Sequence, residues 1–210
     1  MTTVPIKCVL LGETAVGKTS FINRFVNDTF TSEFVPTMIG CYSSKEVFYE
    51  KANRKIKYEI WDTAGQEKYR SINKIFYQDT LIVILIFDIT RKDTFSSIKD
   101  YWYQEVKENS PDDVIIAIAA NKSDLYEKEE VSQDEVEEYA ESINAIYKQT
   151  SALNGSGIKE IFESIGDELT SSENFDNLVR KSSATAIRLD STSVYNVTTE
   201  KTGSTNNCCV

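Results

Sequence analysis

The sequence predicts an α/β fold, a mostly parallel sheet flanked by helices. Three observations predict it. From Ile6 onward, short aliphatic or β-branched runs alternate with longer stretches of helical period. The runs 6–11 (IKCVLL), 81–89 (LIVILIFDI) and 113–120 (DVIIAIAA) are almost wholly apolar, as strands buried on both faces are. A length of 210 residues suits one well-buried domain with a tail and is short for two full domains.

The elements follow in order. After the strand at 6–11, a helix is predicted over 17–26. Residues 41–50 and the alternating run 55–61 bracket KANRK and read as an antiparallel edge hairpin. Helical periods recur over 92–109, 132–143 and 157–169, and Ser132 followed by Glu135 fits a capping box. The ordered domain is thus expected over 1–170. Residues 171–210 turn to Ser, Thr and Asn with too few apolar positions to offset the entropy of ordering, and read as a flexible C-terminal tail.

Composition excludes several functions. The formal charge is −10, and the tail carries four acids against four bases, so the whole excess lies in 1–170. An acidic chain with no basic stripe repels a phosphate backbone, which argues against nucleic-acid binding. With no histidine, imidazole triads and histidine-based zinc sites are ruled out. Four cysteines, Cys8, Cys41, Cys208 and Cys209, are too sparse for a disulfide scaffold and fit a reducing compartment. The longest apolar run falls well short of the about 20 residues that cross a bilayer, and the first residues lack the charged and apolar regions of a signal peptide.

Three motifs carry chemistry. GETAVGKT (12–19) lies between a predicted strand and a predicted helix. Its glycines let backbone N–H groups wrap a polyphosphate, Lys18 neutralises the β and γ groups, and the Thr19 hydroxyl can ligate Mg²⁺. NKSD (121–124) follows a buried strand, at the carboxyl edge where doubly wound sheets bind ligands. There Asp124 can accept from guanine N1–H and its exocyclic amine, Asn121 can brace neighbouring loops, and the Lys122 stem can lie over the ring. Alone, such a tetrapeptide is an ordinary polar turn; its position gives it weight. In WDTAGQEKYR (61–70), Asp62 can support Mg²⁺, the Gly65 N–H can sense a γ-phosphate, and Gln66 can orient an attacking water.

Together with DIT (88–90) and TSA (150–152), these motifs resemble, in order and over about residues 5–170, a Ras-superfamily small GTPase, most closely the Rab family. The resemblance implies a P-loop NTPase small G domain with a six-stranded sheet, GTP and GDP as ligands with Mg²⁺, and two switch segments. It also implies that Gly12, Thr14, Ala15, Val16, Gly17 and Ser20 join Lys18 and Thr19 around the phosphates. Thr37, 20 positions beyond Gly17, matches the threonine that completes the Mg²⁺ shell with GTP bound. Phe30 matches the aromatic packed edge-on against guanine, and Ser151 and Ala152 belong to the base loop. Leu153 stands where the family has a lysine, which implies faster nucleotide release.

After Thr37 the chain reads TMIGCYS where Rabs resemble T-I-G-V-D-F. Holding Thr37 fixed puts Tyr42 with Trp61 and Phe76 in an aromatic trio read by effectors; aligning the IG pair puts Ser43 there instead. The first register is preferred, because the metal ligand sets the chemistry. No arginine finger is evident, and the small Thr14 and Ala15 leave room for incoming catalytic groups. Slow hydrolysis accelerated in trans follows, by as much as ~10⁵-fold in related switches.

The final CCV resembles the doubly prenylated end of Rabs. The tail is neutral and one lipid anchors only marginally, so lipids on both Cys208 and Cys209 are expected. A strained vicinal disulfide and a two-thiolate metal site compete poorly. The resulting expectation is a monomeric, hydrolysing switch of vesicle or endosome traffic on the cytoplasmic face of an intracellular membrane, cycling with the cytosol. Its partners would be a guanine nucleotide exchange factor, a GTPase-activating protein, a prenylated-Rab chaperone and membrane effectors. The rival is a nucleotide-gated binding module that hydrolyses little, against which Gln66 argues.

Overall fold

The computed structural model describes residues 3–32, 37, 41–63, 74–171 and 175. Its strands are β1 (Thr3–Leu11), β2 (Cys41–Tyr49), β3 (Arg54–Asp62), β4 (Ile82–Asp88), β5 (Ile115–Asn121) and β6 (Ile146–Gln149). Among the described residues they form one sheet in the order β2-β3-β1-β4-β5-β6. All neighbours pair parallel except β2 and β3, which form the edge hairpin. Its turn is helped by Asn53, in the left-handed region at φ 51°, which asparagine tolerates better than most residues.

The helices are α1 (Lys18–Asn27), α2 (Lys74–Tyr77), α3 (Lys92–Ser97), α4 (Tyr103–Asn109), α5 (Gln133–Ser142) and α6 (Ile158–Thr170). They cover both faces of the sheet, and strand alternation assigns the contacts. Ile82, Ile84 and Ile86 of β4 join the core beneath α1 and α6, where Phe21, Phe25, Ile161, Phe162, Ile165 and Leu169 are buried. Val83, Leu85 and Phe87 point the other way, toward Phe95, Val106, Val136 and Ala140. Full burial of such side chains contributes roughly 1.5–3 kcal/mol each against the entropy of ordering them. The predicted cap on α5 forms, with the Glu135 N–H donating to Ser132 Oγ at 3.3 Å.

Two features differ from the sequence reading. The period over 92–109 is interrupted by a π-helical segment, Ile98–Trp102, between α3 and α4. Both ends of that segment are fully buried, so the wider turn keeps Ile98 and Trp102 in the core. Phe175, inside the stretch read as tail, is 3% exposed in the α1/α6 core, with the Arg54 guanidinium 4.8 Å from its ring centroid. Among the described residues, no helix is long and apolar enough to cross a membrane.

Candidate functional site

The carboxyl ends of β1, β3, β4 and β5 and the N-terminus of α1 meet at one edge. The loop between β1 and α1 fits there only because of two glycines. A Cβ on Gly12 would lie 2.1 Å from the Ile86 carbonyl oxygen, and one on Gly17 2.5 Å from Asn121 Nδ2; both have positive φ, 147° and 96°. Lys18, 6% exposed, folds its ammonium back onto the loop, donating to the carbonyls of Gly12 at 2.9 Å and Glu13 at 2.8 Å. Burial pulls its pKa down to about 8, partly offset by Asp62 and Glu13. A cation so held suits an anionic ligand over the N-terminal turn of α1. Thr14, Ala15, Val16 and Ser20 complete the stretch, with Ala15 exposed and Val16 buried.

Thr19 of α1, Thr37 and Asp62 of β3 come together although 18 and 25 positions separate Thr37 from the other two. Thr19 Oγ1 lies 2.5 Å from Asp62 Oδ2 and 2.9 Å from Thr37 Oγ1, and the Thr37 hydroxyl lies 3.4 Å from the same carboxylate oxygen. Asp62 is 2% exposed, and burial raises its pKa against the lowering effects of Thr19, Lys18 and Thr37. Its Oδ1 is buried with no hydrogen-bond partner among the described residues. Two hydroxyls beside a buried carboxylate with one unsatisfied oxygen make a set of hard oxygen donors that fits a small divalent cation such as Mg²⁺. Gly65 and Gln66, predicted to sense phosphate and orient water, lie outside the described residues, as do Cys208 and Cys209.

At the end of β5, Asn121 is 1% exposed and cross-links three segments. Its Nδ2 donates to the Val16 carbonyl at 2.8 Å, and its Oδ1 accepts from Thr150 Oγ1 at 3.4 Å and from the Ala152 N–H at 3.3 Å. Lys122 takes a left-handed conformation, φ 65°, and its ammonium pairs with Asp88 at 2.6 Å. Asp124 accepts from the Ser151 hydroxyl, so the NKSD turn and the TSA loop are joined at both ends. Leu153 is 52% exposed. Phe30 is half-buried against the α1/α6 core.

Other braces escaped the sequence reading because their partners are remote in the chain. The Trp102 indole donates to Glu13 Oε1 at 3.2 Å, and Arg91 Nη1 to the Thr14 carbonyl at 3.2 Å. Arg24 on α1 donates to the carbonyls of Ala152 and Leu153. The one local signal that could have drawn attention to Arg24 is its i, i+4 spacing to Asp28. On the outer face, Tyr42 lies opposite Trp61 in the β2–β3 register, with ring centroids 5.3 Å apart, and Phe76 lies 5.7 Å beyond Trp61. The aromatic trio expected with Thr37 held fixed is therefore present, and Ser43 faces Ile60. Lys7 sits 5.9 Å over the Trp61 ring while donating to the Gln78 carbonyl at 2.7 Å.

This sheet order, with a glycine-lysine-threonine loop after β1 and an Asn-Lys-Ser-Asp turn after β5, is that of a P-loop GTP-binding domain. Residues 7–171 match the model of the Ras family. The chain is 39% identical over 168 residues to the Ras-related protein Rab-22A of Homo sapiens, covering 80% of this chain and 85% of that protein. It is 40% identical over 164 residues to Rab-31 of Mus musculus, covering 78% and 83%, and 37% identical over 163 residues to RabJ of Dictyostelium discoideum, covering 78% and 62%. The chain belongs to the Ras family and, within it, to the Rab small GTPases. It binds GTP and GDP, hydrolyses GTP, and acts as a switch in membrane traffic through exchange factors, activating proteins and effectors.

Proposed function

We propose that the switch works through the residues gathered at this edge. Lys18 and the backbone N–H groups from Gly12 to Ser20 hold the β- and γ-phosphates. Thr19, Thr37 and Asp62 hold Mg²⁺, which supplies charge neutralisation at the phosphates when bound. Asp124 reads guanine, Lys122 and Phe30 flank the ring, and Ser151, Ala152 and Leu153 close the pocket. Gly65 senses the γ-phosphate, and Gln66 orients the attacking water.

The observation that carries this reading is the convergence of the Thr19 and Thr37 hydroxyls on the Asp62 carboxylate. It ties a segment remote from the phosphate loop to that loop through one cluster, so a ligand change there can be transmitted to the segment holding Thr37. Tyr42, Trp61 and Phe76 stand near enough to serve as the surface effectors read.

Denaturing the purified protein and identifying the released nucleotide tests the base assignment; about one guanine nucleotide per chain is expected, and an adenine nucleotide refutes it. Single-turnover hydrolysis then tests the water-orienting role. Gln66→Leu should slow the step roughly tenfold while leaving GTP affinity within about twofold. An unchanged rate would remove Gln66 from the mechanism.

The segment after the core is proposed as a tether for prenyl lipids on Cys208 and Cys209, bringing a monomer to the cytoplasmic face of a vesicle or endosome membrane, with a prenylated-Rab chaperone returning it to the cytosol. The neutral tail supports two lipids over one, since no basic patch supplies the second signal. Replacing both cysteines with serine should move the protein from the membrane fraction to the soluble fraction. Retention on membranes would overturn the lipid assignment.

A further inference from the structure

We propose that Arg24 is the positioning residue of the guanine pocket: its guanidinium clamps the turn that presents the Ala152 N–H and anchors that turn to the root of the segment carrying Phe30. The inference rests on the reading of Asp124 and Ala152 as the base pocket.

Arg24 lies near the end of α1 with its side chain 17% exposed. Its Nε donates to the Ala152 carbonyl at 3.0 Å and its Nη2 to the Leu153 carbonyl at 2.7 Å. Its Nη1 donates to Asp28 twice, to the backbone carbonyl at 3.0 Å and to Oδ1 at 2.8 Å. All three nitrogens of the planar fork are therefore engaged, across two segments separated by more than 120 positions. An ammonium has no fork with which to hold two successive carbonyls and a carboxylate at once.

The inner side of the turn is held by Asn121, by Asp124 and by the Ser151 N–H, which donates to the Ser156 carbonyl at 2.9 Å; Arg24 holds its outer side to α1. Leu153 is 52% exposed, so its side chain offers the loop scant burial. Inside the turn, the Gly155 N–H donates to the Ser151 carbonyl at 2.8 Å and the Asn154 N–H to Ser151 Oγ at 3.3 Å. A Cβ on Gly155 would sit 3.5 Å from Arg24 Cδ, so the arginine stem runs alongside the turn. With the carbonyls of 152 and 153 held outward, the N–H of Ala152 points back toward Asn121 Oδ1 at 3.3 Å. This is a long hydrogen bond, and a base carbonyl at the purine 6-position would compete with Asn121 for the same N–H.

The other end of the clamp is equally placed. Asp28 caps α1 in the left-handed conformation, φ 54°, with its N–H on the Arg24 carbonyl. Phe30 follows two residues later. One side chain thus couples two parts of the proposed base pocket.

The test measures dissociation rates of GDP, IDP and 6-thio-GDP from the full-length wild type, Arg24→Ala and Arg24→Lys, with thermal melts to establish folding. 6-Thio-GDP keeps N1–H and the 2-amine but weakens the acceptor at position 6; IDP removes the 2-amine that Asp124 reads. Wild type should release both analogues faster than GDP. Arg24→Ala should release GDP about tenfold faster, lose most of the preference for GDP over 6-thio-GDP, and keep the preference for GDP over IDP. Arg24→Lys should behave like the alanine variant, because charge without the fork does not hold the turn; if the alanine variant fails to fold, the lysine variant carries the result. GDP release unchanged in the variants, or all three nucleotides accelerated by one factor, overturns the clamp while leaving the pocket intact. A wild type that releases IDP no faster than GDP overturns the Asp124 reading and the clamp with it.

Discussion

Asn121→Ala should release GDP roughly 10²–10³ times faster than the parent chain, a loss of about 3–4 kcal/mol. The figure comes from what the truncation leaves behind. Asn121 is 1% exposed, and its amide serves the Val16 carbonyl, the Thr150 hydroxyl and the Ala152 N–H. Each buried group left without a partner costs about 1–3 kcal/mol. The two backbone groups belong to the phosphate loop and the base loop, so the loss falls on both halves of the proposed nucleotide site. Asn121→Asp should be at least as damaging, since it removes the donor to Val16 and sets a negative charge beside the phosphate loop. Dissociation of a fluorescent GDP analogue measures both. A change under about fivefold in Asn121→Ala would mean that the loops hold their positions without this cross-link.

Local chemistry made much of this site legible in the sequence. The phosphate loop, Asp62 and the NKSD turn each lie within a few residues of a strand end, and strand ends can be read from hydrophobic pattern. What stayed hidden depends on pairings that no local pattern encodes. Trp102 reaches Glu13 across 89 positions and Arg24 reaches Leu153 across 129, so neither contact leaves a periodic trace. The π-helical segment was masked because its residues keep an apolar spacing near the helical one. β6, four half-buried residues, and α2, a single turn, are too short to stand out from loops by pattern alone. Phe175 was read as tail because its neighbours are polar; only the structure reveals that it fills a place in the core. Spacing after Thr37 allowed two registers, and the one preferred for its metal ligand placed Tyr42 beside Trp61, where the strand pairing has it.

Gly166→Ala should destabilise the domain by about 3 kcal/mol, lowering the melting temperature by roughly 6–12 °C. In an exposed helix the same change would stabilise by up to about 1 kcal/mol, because glycine is the poorer helix former. At Gly166 the sign reverses. An added Cβ would stand 1.9 Å from Tyr49 Cε1 and Cζ and 2.2 Å from its hydroxyl oxygen. Tyr49 has little room to retreat: it closes β2, is 8% exposed, and its hydroxyl is 2.5 Å from that of Tyr58 while donating to the Phe162 carbonyl on α6 at 2.8 Å. Moving the ring would break the hydrogen bonds that tie the edge hairpin to the helix. A double-mutant cycle separates crowding from any intrinsic fault in the helix. Tyr49→Ala alone should be strongly destabilising through the cavity it opens. In that background Gly166→Ala should be neutral or stabilising, because the obstacle is gone and helix propensity remains. If Gly166→Ala costs the same with and without the Tyr49 ring, the clash is not its cause, and the glycine serves the helix in some other way.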